Sequence, residues 1–156
     1  MIGAKAKSGG FLVSLLLAGL ALGWVFQLVD HLVGFPKLLP YPTNLLGLAL
    51  VAVGSWIRFW AGDVFYAQNP SMVSFNVPPK LVTTGPWRYS RNPLYLGLII
   101  IGLGFSIVFF SFSDLILTLV GMGLLHLEVV LHEEKVLSQK FGESYLYYEK
   151  RVRRWI

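Results

Sequence analysis

The sequence predicts an all-α membrane protein of about four transmembrane helices, completed by a C-terminal amphipathic helical segment. Three observations predict it. Hydrophobic residues make up 55% of the 156-residue chain and charged residues only 13%, well below the ~25% typical of soluble domains, and the mean hydropathy is +0.64. The apolar residues gather into four runs, each approaching the ~20 residues that cross a hydrocarbon layer. After the last run they narrow to one helical face. At this length a single domain over 1–156 is expected, with its core inside the membrane.

The first run, about 11–29, follows Lys5 and Lys7. It is longer than the ~7 to 15 apolar residues of a secretory signal, so a retained span is expected. Within it, Gly19 and Gly23 have a spacing suited to helix contact, either inside the monomer or between copies. An outer loop follows from Gly34 to Asn44, punctuated by Pro36, Pro40 and Pro42, with Phe35, Leu38, Leu39 and Tyr41 expected at the interface. The second span covers about 45–61 and contains Arg58.

The inner segment from Asp63 to Asn92 is much longer. It is rich in apolar and aromatic residues (Val64, Phe65, Tyr66, Met72, Val73, Phe75, Leu81, Val82, Trp87 and Tyr89) and is expected to be ordered against the bundle. Spans three and four, about 94–110 and 115–131, are read as a helical hairpin with Ser111-Phe112-Ser113-Asp114 as its turn. Beyond them Leu137, Phe141, Tyr145, Tyr148, Val152 and Trp155 trace one helical face. Gly142 is expected to divide this tail into two helices, the second entered through Ser144.

Charge orients the chain and narrows its chemistry. Four spans put both termini on one side, together with Lys5, Lys7, Lys80, Arg88, Arg91, Lys135, Lys140, Lys150, Arg151, Arg153 and Arg154, against Lys37 alone on the other. That basic side is expected to be cytoplasmic. The net charge of +5 is then read as topology plus attraction to anionic membrane lipids, with no nucleic-acid partner. The absence of cysteine excludes disulfides, thiolate metal sites and a cysteine nucleophile.

The candidate site begins at Arg91-Asn92-Pro93-Leu94-Tyr95-Leu96-Gly97. Asn92 suits a helix N-cap and Pro93 the first helical position. The free amides and partial positive charge of such a start favour an anionic group, reinforced by Arg88 and Arg91. An anchor in which Arg91 merely snorkels fits the same local pattern. Glu133 and Glu134 follow the fourth span and return to this layer, so carboxylates, arginines and a helix start converge. His126 and Glu128 lie deeper, where ionisable groups mark function by default because burying them unpaired is costly. For Glu128, pairing with Arg58 and facing a substrate both stay open.

The stretch from Leu81 to Gly97, followed by His132-Glu133-Glu134, Phe141-Gly142, Tyr145, Tyr148 and Arg151-Val152, resembles the superfamily of isoprenylcysteine carboxyl methyltransferases and phospholipid methyltransferases. The likeness covers about half the chain. It implies transfer of the methyl group of S-adenosyl-L-methionine to a lipophilic or lipidated acceptor at the membrane boundary, without a metal. By position, Leu81, Val82, Trp87, Asn92, Pro93, Leu94, Tyr95 and Glu133 are implied to bind the cofactor. Arg91, Tyr95 and Glu134 are expected to act at the reacting centre, with His132 or Glu134 as the base if the acceptor is an amine. His126, Glu128 and Val129 are expected to face the acceptor.

Three departures from the family pattern bear on this. Asn92 stands where histidine is more usual and Trp87 where tyrosine is. Val129 occupies the position of an arginine implicated in substrate recognition in eukaryotic prenylcysteine enzymes. Two other classes are weighed. Membrane sterol reductases, which use a reduced nicotinamide cofactor, share a similar C-terminal pattern but carry an Arg-Asp-Glu and a downstream cysteine where this chain has Leu131-His132-Glu133-Glu134 and no cysteine. A non-catalytic membrane scaffold is the other.

Overall fold

The structure is a computed structural model that describes residues 2–37, 39, 41–70 and 78–156. Helix α1 covers Ile2–Val33, α2 Leu46–Gln68, α3 Pro93–Val108 and α4 Phe112–Leu124. A π-helical turn over Leu125–Val130 carries α4 directly into α5, Leu131–Phe141, and α6 follows over Glu143–Arg151. Short 3-10 turns at Thr43–Leu45 and Gly85–Arg88 lie before α2 and α3. The stretches 3–33, 43–68 and 112–141 are long and apolar enough to cross a membrane; α3 is equally apolar but has 16 residues.

Glycines set the centre of the bundle. Gly47 and Gly54 on α2 face Gly104 and Gly97 on α3, so closely that an added Cβ would lie 2.5–2.8 Å from the facing carbonyl oxygen. The seven-residue spacing on both helices keeps the contact on a single seam, and the absence of side chains lets the backbones touch. Apolar burial supplies no driving force between helices in lipid, so this close packing is what joins them. Helix α1 covers the pair. Its Gly19 and Gly23 receive the rings of Phe105 from α3 and Phe109 from its C-cap, so these two glycines serve packing within the monomer.

At the end remote from the inner loop, polar groups close the helix ends. The Asp30 carboxylate of α1 accepts hydrogen bonds from the Phe112 and Ser113 amides at 2.7 and 3.1 Å. Ser111 Oγ accepts from the Asp114 amide at 3.0 Å. Ser111–Asp114 is therefore the capped start of α4 and not the expected turn; the chain reverses one step earlier, where Phe110 takes a positive φ of 57°. Asn44 Nδ2 donates to the Val108 carbonyl at 2.9 Å, satisfying the end of α3. Phe35 and Tyr41 of the loop between α1 and α2 are exposed; Leu38 and Pro40 lie outside the described residues.

The opposite end departs further from expectation. Helix α2 continues to Gln68, so Asp63–Gln68, read from sequence as loop, forms nearly two more helical turns. Asn69 then stops the helix. It is wholly buried, and its side chain accepts from the Lys80 amide at 2.9 Å while Nδ2 faces the Lys80 carbonyl at 3.4 Å. This clamp joins the two ends of the segment between them. The expected apolar contacts of Met72, Val73 and Phe75 lie outside the described residues.

The C-terminal face is legible in the burial pattern. Tyr145 and Tyr148 are buried, Leu137, Phe141, Val152 and Trp155 are half-buried, and Lys135, Lys140, Lys150, Arg151 and Arg153 are exposed. Gly142, with φ 52°, turns the chain between α5 and α6. A side chain at this left-handed position would be strained. Helix α6 starts at Glu143, one residue before the expected Ser144.

Candidate functional site

The start of α3 is built by the segment before it and by the C-terminal strap. Trp87 packs on Phe65 with ring centroids 5.8 Å apart, donates through Nε1 to the Ala61 carbonyl at 3.3 Å, and its own carbonyl accepts from the Tyr148 hydroxyl at 2.7 Å. Arg91 N donates to the Arg153 carbonyl at 3.0 Å, while Ser90 Oγ and Asn92 Nδ2 both donate to the Arg154 carbonyl at 3.2 Å. Asn92 holds the N-cap position with Pro93 after it, yet its side chain makes no cap. It is spent on the strap. Pro93, lacking an N–H, removes one of the donors a cap would have served.

Around this start lies a cavity of about 280 Å³, near the lower end of the ~300 to 1,000 Å³ usual for small-molecule sites. Leu81, Val82, Trp87, Arg91, Asn92, Leu94, Tyr95, Glu133 and Glu134 all line it. Pro93 is fully buried behind them. His126, Glu128 and Val129 do not line it: they sit on the π turn, where Glu128 is exposed and His126 stacks against Trp155 with centroids 5.9 Å apart.

The carboxylates play different parts. Glu133 reaches from α5 to accept a hydrogen bond from the Tyr95 hydroxyl of α3 at 2.7 Å. Its other oxygen has no protein donor within hydrogen-bond reach among the described residues. Glu134 is buried and saturated: Arg154 Nε lies 3.1 Å from both its oxygens and Arg154 Nη2 2.9 Å from one, with Arg91 Nη2 at 3.4 Å. Arg91 Nη1 in turn pairs with Glu149 of α6. His132 also lies in the cavity wall.

Several lining residues escape sequence reasoning. Arg58 of α2 does not pair with Glu128; its Nη1 donates to the Leu94 carbonyl at 2.8 Å and its guanidinium lies 4.5 Å from the centre of the Phe11 ring. Its Nε is buried, and the Tyr145 hydroxyl is buried beside the Arg91 side chain. Arg58, Arg91 and Tyr145 all belong to the cavity wall. Tyr145 and Tyr148, read from sequence as an anchoring face, form the cavity's α6 wall.

Burial, and next the charge of Glu134, push the Tyr145 hydroxyl up to about 12. In the unfolded chain it titrates near 10. The folded state thus keeps a proton that the unfolded state loses, and the stabilisation is complete below about pH 10 and lost as pH rises through the folded value. Tyr145→Phe is therefore expected to flatten the fall in melting temperature between about pH 10 and 12 in detergent, with little change at neutral pH. An unaltered alkaline slope would show that Tyr145 ionises as freely folded as unfolded.

A family model described as phospholipid methyltransferase matches residues 42–144, which include most of the residues lining this cavity. The chain belongs to the phospholipid methyltransferase family. It is also 31% identical, over 95% of its length, to the protein-S-isoprenylcysteine O-methyltransferase of Schizosaccharomyces pombe. The chain spans 65% of that relative's length. The family match begins before α2 and takes in α2, α3, α4 and α5, so the glycine seam and most of the cavity lining lie in the matched region together.

Proposed function

We propose that the protein transfers a methyl group from S-adenosyl-L-methionine to a lipophilic acceptor at the cytoplasmic boundary of the membrane. The observation that carries this is one cavity at the start of α3 whose wall holds both an acceptor, Glu133, and two arginines, Arg58 and Arg91. A zwitterionic amino acid joined to a nucleoside needs both kinds of group, and the residues present fit it. Glu133 would accept from its ammonium or ribose hydroxyls. Arg91 and the start of α3 would hold its carboxylate. Leu81, Val82, Trp87, Asn92, Leu94 and Tyr95 would line the rest, with Pro93 supporting them from behind.

When bound, the cofactor supplies an electrophilic methyl group on a sulfonium. The chain's own contribution is alignment and exclusion of water, through rigid helix ends and aromatic walls. For the acceptor, the isoprenylcysteine named for the fission yeast relative is favoured over a phospholipid amine. Arg58, in the cavity wall beside Leu94, supplies a cation suited to orient a carboxylate; such an acceptor needs no base. An amine would require His132 to take a proton. His126, Glu128 and Val129 are left as contacts to the acceptor's apolar portion outside the cavity.

The topology that accompanies this reading has four spans, with α3 as the short third one and α3–α4 as a helical hairpin. Helix α3, at ~1.5 Å per residue, is about 24 Å long, which the bilayer accommodates by local thinning. Both termini then lie with the site on the cytoplasmic side, where the basic residues collect. Calorimetry on the purified protein tests the function. Heat is expected with S-adenosylmethionine and none with reduced nicotinamide cofactor; heat with the latter alone would favour the sterol-reductase-like class, and heat with neither would favour a scaffold.

A further inference from the structure

We infer that Phe11 is a positioning residue for the acceptor: its ring holds the Arg58 guanidinium in the cavity wall, where its charge meets the acceptor's carboxylate. The inference rests on the carboxylate-acceptor reading above and adds to it a residue of α1, outside the residues 42–144 of the family match. The two arginines of the wall differ in kind. Arg91 is paired with Glu134 and Glu149. Arg58 makes no ion pair among the described residues.

Two contacts hold the Arg58 guanidinium. Nη1 donates to the Leu94 carbonyl at 2.8 Å, and the Phe11 ring lies across the group, 4.5 Å from centroid to guanidinium carbon. A single hydrogen bond fixes one nitrogen and lets the fork swing about it; a ring on the face removes that freedom. The attraction of a cation to an aromatic face is strongest where water is excluded. Without it, an arginine in an apolar span tends to snorkel toward the polar boundary, which would carry the charge out of the wall. Nη2 has no protein partner among the described residues and is the donor left for an anion.

Helix α1 is docked independently of this ring. Ser8, one turn before Phe11, is buried and donates through Oγ to the Phe59 carbonyl at 3.0 Å. It sits against Gly62, where an added Cβ would lie 2.6 Å from that oxygen. Farther along, Gly19 and Gly23 receive the Phe105 and Phe109 rings. Phe11 itself is 47% exposed, so it carries little of the packing, and a smaller apolar residue there leaves α1 in place.

The test compares two ligands that differ in one charge, N-acetyl-S-farnesylcysteine and its methyl ester. On the full chain in lipid nanodiscs, the KM of the acid, the inhibition constant of the ester against it and the affinity for S-adenosylmethionine are measured. The native protein, Phe11→Leu and Phe11→Trp are compared. Phe11→Leu is expected to raise the KM of the acid about tenfold, the scale of a desolvated cation–π contact, and to change the other two constants less than about twofold. The kcat should change little, as for a contact made equally in the ground and transition states. Phe11→Trp keeps an aromatic face and is expected to stay within about threefold of the native KM.

Equal weakening of acid and ester would overturn the inference, because Phe11 would then only shape the wall. Unchanged constants in Phe11→Leu would overturn it too, as would a Phe11→Trp protein as impaired as Phe11→Leu. Failure of the native protein to methylate the acid while binding S-adenosylmethionine would remove the carboxylate-acceptor reading and the inference with it, a result seen before any substitution is made. Should Phe11→Leu not fold, trifluorophenylalanine placed at position 11 decides by the same criterion, since its ring keeps the shape of phenylalanine but has lost most of the negative face.

Discussion

Glu133→Gln is expected to weaken S-adenosylmethionine binding about 10- to 100-fold while leaving the protein folded. Gln keeps the size of the side chain and an oxygen to accept from the Tyr95 hydroxyl, now at 2.7 Å, so the link between α3 and α5 survives. What disappears is the negative charge. A hydrogen bond to a charged group contributes about 1.5–3 kcal/mol, and each ~1.4 kcal/mol is a tenfold change in affinity. Tyr95→Ala is expected to act in the same direction by removing the wall against which Glu133 is set. Calorimetric titration of both variants checks this. Native affinity in both would move the cofactor elsewhere.

The second large effect is structural. Gly97→Val is expected to destabilise the protein by about 3 kcal/mol or more, and to abolish ligand binding in whatever fraction folds. A Cβ at Gly97 meets the Gly54 carbonyl oxygen at 2.7 Å and Arg58 Cβ and N at 2.9 and 3.0 Å. Two of these are backbone atoms of a packed helix and cannot rotate away. Overpacking in a well-filled core costs about 1–3 kcal/mol where side chains can adjust, and here they cannot. The displaced helix turn carries Arg58, so the cavity is lost with the seam. Gly121→Ala, where nothing lies within 4 Å, is the control and should melt as the native protein does. A Gly97→Val variant that also melts normally would show that the two helices are not in contact at this level.

The two motifs that join at the cavity could be read in advance because each is local. Asn-Pro announces a helix start and Glu133-Glu134 marks the end of an apolar run, and antiparallel spans bring the two together. Other parts were beyond a one-dimensional reading. Arg58 is a single cation in an apolar run, and only the approach of α3 tells which carbonyl it meets. Tyr145 and Tyr148 share the spacing of a lipid-facing stripe, and the same stripe proves to be the inner wall of the site. The π turn at Leu125–Val130, which runs α4 into α5 without a break, has no signature in hydrophobic periodicity.

The identities of the charged partners were the least visible. From sequence the lysines and arginines could be weighed only as a group, for topology, and nothing in their spacing distinguishes Arg154, which grips a buried carboxylate, from the exposed Arg153 beside it. Asn92 shows the converse: a residue with good N-cap chemistry gives its side chain to the Arg154 carbonyl instead. Gly19 and Gly23 illustrate how one spacing admits two partners, since only the rings of Phe105 and Phe109 decide between packing within the chain and packing between copies.

The central claim is methyl transfer to a lipophilic acceptor, and one measurement meets it directly. The purified protein is incubated with methyl-labelled S-adenosylmethionine and either an S-farnesylated cysteine or a total membrane-lipid extract, and labelled products are identified by mass. The account predicts a base-labile methyl ester on the farnesylated cysteine, formed by the native protein and lost in Glu133→Gln at a subsaturating cofactor concentration. Label that appears in neither the prenylated cysteine nor any lipid, from a protein that binds the cofactor, would contradict it.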